Sequence, residues 1–122
     1  VIMIASPNHG ISGSAANYCG FVGENRECQD MIKDSLFINK LNDPSKQPTG
    51  ARMYNIIGTG CASDSNDWDG VVYAEDAELD NAASYFVNGS CSGFFGEKLH
   101  TSILDIEKYQ ETYNIVKEIL KK

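Results

Sequence analysis

Two apolar runs constrain this chain more than any other feature: "VIMIA" (Val1–Ala5) and "MYNIIG" (Met53–Gly58). Neither shows the alternation of a strand with one wet face. Short continuous apolar runs bounded by turn residues read as strands buried on both faces, as in a parallel sheet. A third run, "SYFVNG" (Ser84–Gly89), reads as a further strand. "SPNHG" ends the first run with turn chemistry, and residues 11–23, rich in Gly, Ser, Ala and Asn, read as a surface loop.

From Glu24 to about Leu41 the spacing predicts a helix, with Cys28, Met31, Ile32, Ser35, Leu36 and Leu41 on one face. "NDPSKQPTG" stops it with two prolines and a glycine. "VVYAEDAELDNAA" is ambiguous between an extended start and a short helical turn. Asp105 is placed to cap a last helix to about Leu120, with Ile106, Tyr109, Tyr113, Val116 and Leu120 near a 3.6 period. The order is strand, helix, strand, strand, helix. Crossovers between consecutive strands leave them parallel, so the class is α/β. The first strand leaves a long apolar sheet edge, a pairing hazard, and a larger sheet is expected on its N-terminal side.

At 122 residues the chain is one domain or a piece of one. "VIMIAS" lacks a basic leader and a starting methionine, so Val1 does not read as a natural translation start. The net charge of −7 argues against nucleic-acid and anionic-membrane partners, which need a basic face. No apolar run is long enough to span a bilayer. The four cysteines, Cys19, Cys28, Cys61 and Cys91, include no C-x-x-C pair, and with two histidines they make poor zinc ligands. Three pairings into two disulfides are possible. Spacing suggests Cys19–Cys28 and Cys61–Cys91, with free buried thiols as the alternative. Asn88-Gly89-Ser90 is a glycosylation sequon.

In open α/β sheets chemistry gathers at the carboxyl ends of the strands. The loops leaving those ends here are "SPNHG", "CASDSNDWDG" and "GSCSGFFGEKLH". Between them they hold both histidines and many aspartates. Asp69, in "DWDGVV", and His100, in "KLHTSIL", would supply an acid and a base on neighbouring loops, the orienter-and-base half of a catalytic triad. Ser65, Asp67, Asp69, Gly70 and Asp76 also fall at EF-hand-like positions. The first is serine, the last aspartate rather than glutamate, and no clear helix precedes them, so a calcium site is the weaker reading.

Four segments in order resemble secreted microbial lipases and esterases of the α/β-hydrolase superfamily. "VIMIASPNHG" resembles the strand and turn after the nucleophile elbow. "YCGFVGENRECQDMIKDSLFINKLN" resembles the segment that follows. "YNIIGTGCASDSNDWDGVV" resembles the strand and loop of the acid. "LHTSIL" with the closing helix resembles the catalytic histidine region. The resemblance covers nearly the whole chain. It implies a three-layer, parallel-sheet C-terminal part of an α/β-hydrolase fold, its last three strands plus helices. It implies Asp69 as triad acid, with Asp67 and Asp64 as alternates, His100 as base and His9 as a packing residue. It also implies a carboxylic-ester hydrolase acting on ester or lipid, outside the cell or at its surface, without a cofactor.

In that fold the nucleophile serine precedes the acid and the histidine, in G-x-S-x-G, so it is expected upstream of residue 1, in the N-terminal half of the same domain. Residues 11–41, with Tyr18, Phe21, Val22, Met31, Leu36 and Phe37, lie where such enzymes carry a lid. Gly89-Ser90-Cys91-Ser92-Gly93 imitates an elbow. However, "SGFFGEKLH" leaves no room for the helix that must follow, and Asp69 would precede the nucleophile. Cys91 therefore reads as a disulfide half. The alternative for the whole chain is a non-catalytic, hydrolase-like surface or binding module.

Overall fold

A computed structural model describes the backbone of residues 1–22, 25–61, 67–92 and 98–122, and all of their side chains except those of 18–22 and 25. The three apolar runs form one parallel sheet in the order β1 (Ile2–Ile4), β2 (Met53–Thr59), β3 (Ala82–Asn88). Its register pairs Ile4 with Ile56 and Ile57 with Phe86. The mixed α/β class follows. Among the described strands only β2 has neighbours on both sides, and it is buried from Asn55 to Thr59. β1 is an edge strand and is half-buried rather than enclosed on both faces.

Side chains of β2 alternate between two clusters, as a strand's period of two requires. Ile56 packs with Val87, Leu99 and Ile103, backed by Tyr109, Ile115 and Val116. This places α5 (Leu99–Ser102) and α6 (Gln110–Leu120) on one face. Ile57 packs with Val72 and Ala77, which places α4 (Ala74–Ala77) on the other. Asn55 shares the Ile57 face. It accepts a hydrogen bond from Asn8 Nδ2 at 3.2 Å, while that nitrogen also donates to the Ala77 carbonyl at 2.6 Å.

Three further expectations need correction. Residues 11–23 are not all loop, because α1 spans Gly13–Val22. Its Gly, Ser and Ala composition shows no apolar stripe, yet no proline interrupts it, and it packs against α2. The single helix over 24–41 is instead two, α2 (Asn25–Met31) and α3 (Leu36–Leu41). Between them the chain bridges to Ile11 through Ile32 and passes through Asp34 at φ +65°. Ser35 then caps α3 by accepting from Ile38 N–H at 3.1 Å. Of the expected face Cys28 is buried, but Met31, Ile32, Leu36 and Leu41 are exposed, and α3 buries Ile38 instead. Finally, Asp105 does not cap the last helix. It accepts from Glu107 N–H in a turn, and α6 begins only at Gln110. The later start moves the buried face to Thr112 and Ile119, leaving Ile106, Tyr113 and Leu120 exposed.

Candidate functional site

Beyond β2, the Trp68 carbonyl accepts from Cys61 N–H at 3.1 Å, Trp68 bridges to Tyr73, and the chain turns at Gly70, whose φ is +96°. A side chain is excluded there by space as well as by backbone: an added Cβ would lie 2.7 Å from Cys91 Sγ. The turn leaves Asp69 1% exposed. A buried carboxylate must be hydrogen-bonded, and the turn itself provides the donors. Asp69 Oδ1 accepts from the backbone N–H of Val71 at 2.9 Å and of Val72 at 2.7 Å. Oδ2 is thereby aimed at α5, where it lies 2.8 Å from His100 Nδ1. His100 N–H also donates to the Asp69 carbonyl at 2.9 Å. The pair is thus joined through both side chain and backbone.

A carboxylate only accepts, so Nδ1 carries the proton in this contact, which makes Nε2 the basic nitrogen of the neutral ring. The imidazole is 27% exposed while its partner is enclosed. Leu99, the residue before His100, is fully buried in the core with Ile56 and Val87. β2 gives close access at Gly58, where an added Cβ would lie 2.8 Å from Asp69 Cβ.

Of the other candidates, Asp67 Oδ1 accepts from Gly60 N–H at 2.9 Å and so serves its own loop. Asp64 and Ser65 lie outside the described residues. His9 N–H donates to the Asp76 carbonyl at 2.8 Å, fixing the first turn to α4. Asp76, fully buried, accepts from Ser12 Oγ and from Lys33 Nζ, the latter at 2.6 Å. The carboxylates of the EF-hand-like spacing therefore face different partners. Among the described residues no group of His, Cys, Asp or Glu gathers to hold a metal.

Cys61 and Cys91 form a disulfide, so Cys91 has no thiol with which to attack. Cys28 is also disulfide-bonded, and the Cys19 side chain lies outside the described residues. Asn88 and Ser90 of the sequon are exposed at the end of β3. Among the described residues no helix is long and apolar enough to cross a membrane.

The two N–H donors to Asp69 were missed by sequence reasoning, although "DGVV" held a signal: an aspartate at the start of a tight turn accepts from the N–H two and three residues on. The Ser12–Asp76–Lys33 cluster had no such signal, since its members are far apart in sequence and the EF-hand-like spacing that includes Asp76 contains neither Ser12 nor Lys33.

No protein-family model matches this chain, and neither a curated protein nor a solved structure matches it.

Proposed function

We propose that this chain is the C-terminal portion of a carboxylic-ester hydrolase, lipase- or esterase-like, and that Asp69 and His100 are the acid and base of its Ser-His-Asp triad. The observation that carries the reading is the 2.8 Å contact of a buried, doubly anchored Asp69 with His100 Nδ1, at the carboxyl ends of adjacent parallel strands. The four-segment resemblance to α/β-hydrolases supports it, and the order acid-then-histidine agrees with that fold.

The nucleophile serine is assigned to chain preceding Val1. Its hydroxyl proton passes to His100 Nε2 as the oxygen attacks the ester carbonyl. The imidazolium returns that proton to the leaving alkoxide, releasing an alcohol and leaving an acyl-enzyme. Water then repeats the sequence and frees the acid. Asp69 holds the ring in the Nδ1–H tautomer and stabilises its positive charge. Residues 11–41, with Met31, Leu36 and Phe37 exposed, are assigned as a lid over an ester or lipid acyl chain. The disulfides favour an oxidising, extracellular or cell-surface setting.

Hydrolysis of a short-chain nitrophenyl ester by the protein extended through its G-x-S-x-G segment tests this. Replacing His100 by Ala should lower kcat by at least about 10³-fold. Retained activity overturns the assignment. The double Asp69–His100 tie also suits a staple in a non-catalytic binding module, and an extended wild-type protein without esterase activity would favour that second reading.

A further inference from the structure

The Cys61–Cys91 bridge touches the Asp69 segment at both ends. Cys61 N–H donates to the Trp68 carbonyl at 3.1 Å, and Trp68 Nε1 donates back to the Cys61 carbonyl. Cys91 Sγ lies 3.6 Å from the Asp69 carbonyl oxygen, the same oxygen that accepts from His100 N–H. Gly70 has no side chain to separate them, and an added Cβ there would meet Cys91 Sγ at 2.7 Å and Lys98 Cδ at 2.9 Å. One end of the bridge therefore grips the residue before Asp69. The other lies against Asp69 itself and the residue after it.

We propose that this disulfide is a positioning element for the Asp69–His100 pair, and that its reduction by a dithiol uncouples the pair. The consequence for turnover rests on the hydrolase reading. The coupling itself is a property of this chain. Cys91 is half-buried and Cys61 buried, so a dithiol thiolate attacks Cys91 Sγ, breaking the S–S bond and releasing Cys61 as a thiolate. The dithiol's second thiol closes on the mixed disulfide. Two electrons and two protons pass to the cysteines, and the dithiol leaves as a cyclic disulfide. Two unbonded sulfurs need more room than a bonded pair, because their surfaces must clear one another. Cys91 Sγ has Gly70 and the Asp69 carbonyl against it, so the displacement falls on the backbone that also holds His100.

The test is the imidazole nitrogen–proton spectrum of the histidine-labelled chain, oxidised and after dithiothreitol, with His100→Ala assigning the signal. Oxidised chain should show a slowly exchanging, downfield Nδ1–H. Reduction should replace it by tautomer-averaged nitrogens while the β2–β3 amides stay protected. Cys61→Ala/Cys91→Ala should match the reduced state, with any other disulfide intact. A folded reduced chain or double variant that keeps the Nδ1–H signal overturns the proposal. If neither folds, Gly70→Ala decides the matter in the bridged chain: its Cβ drives against Cys91 Sγ, and an unchanged His100 signal then overturns the proposal. In the extended protein, dithiothreitol should lower kcat by about 10²-fold with KM little changed. Uncoupling in the spectrum without esterase activity in the extended protein overturns the hydrolase reading alone. Activity with an unmoved spectrum overturns this inference alone.

Discussion

Asp69 has two tasks, and two substitutions separate them. Through Oδ1 it closes the turn on Val71 and Val72, and through Oδ2 it holds His100. Asp69→Ala removes the acceptor for two N–H groups, one in a fully buried bond. Each orphaned buried donor costs about 1–3 kcal/mol, so the variant should lose about 3 kcal/mol in urea denaturation. His100→Ala leaves the turn's own bonds intact and orphans Oδ2 alone, so it should lose less, about 1–2 kcal/mol. A larger loss for His100→Ala would show that the pair, rather than the turn, holds the loop. Gly58→Ala probes the same carboxylate from the strand side. Its Cβ would meet Asp69 Cβ at 2.8 Å and Leu99 Cδ2 at 3.1 Å, both inside normal contact. Overpacking of this kind costs about 1–3 kcal/mol. The expected signature is a fall in thermal midpoint together with loss of the His100 Nδ1–H signal. The pairing of Asp69 with His100 was legible in sequence because both close loops at strand ends. Which carboxylate would reach the ring was open among neighbours, and the backbone donors at Val71 and Val72 settle it on Asp69.

At the scale of elements, Asp76 ties α4 to Ser12 and Lys33. Asp76 raises the Lys33 pKa above the ordinary 10.5, first through the hydrogen bond, against some desolvation, and then through its charge. A raised folded-state pKa gives stabilisation that is complete below about 10.5 and lost as pH rises through the folded value. The Lys33 side chain is 40% exposed, so solvent screens the pair. Lys33→Met should therefore cost about 1–2 kcal/mol at pH 7, less than the 3–5 kcal/mol of a fully buried broken pair. The check is the urea-midpoint difference between wild type and variant from pH 7 to 11. It should shrink above pH 10.5, and a constant difference would mean that packing by the lysine stem is the source. The elements themselves were unequally legible. β2 was plain because "YNIIG" is apolar without alternation, as a strand enclosed by neighbours and helices requires. The break between α2 and α3 was hidden, because it is made by a bridge from Ile32 to Ile11 and by Asp34 in the left-handed region, and no Gly or Pro marks it. α6 was found, but its start was placed too early, since Ile106 fits the period of a helix that the turn at Asp105 excludes.

At the scale of the whole molecule, two features oppose each other. Leu36, Phe37 and Leu41 on α3, Leu104 and Ile106 before α6, and Leu120 at its end are all exposed. Both outer strands leave one ladder side unpaired within the described sheet. Surfaces of this kind favour association. Against that stands a net charge of −7, which keeps copies apart at neutral pH. The repulsion vanishes near pH 4.6, where the charge is zero, and weakens at neutral pH once salt shortens the screening length to about 3 Å at 1 M. The 122-residue chain should therefore scatter light as a monomer at pH 7.5 in dilute buffer and associate increasingly towards pH 4.6. Leu36→Lys/Phe37→Lys should reduce association at a fixed distance from its own isoelectric point, because it removes apolar surface as well as shifting charge. If that matched-charge comparison shows no difference, the unpaired strand edges drive association instead. A proline at Ile2, the first residue of β1, would then be the variant that restores the monomer: Val1 and Ala5 bond to β2, so the Ile2 N–H lies on the unpaired side.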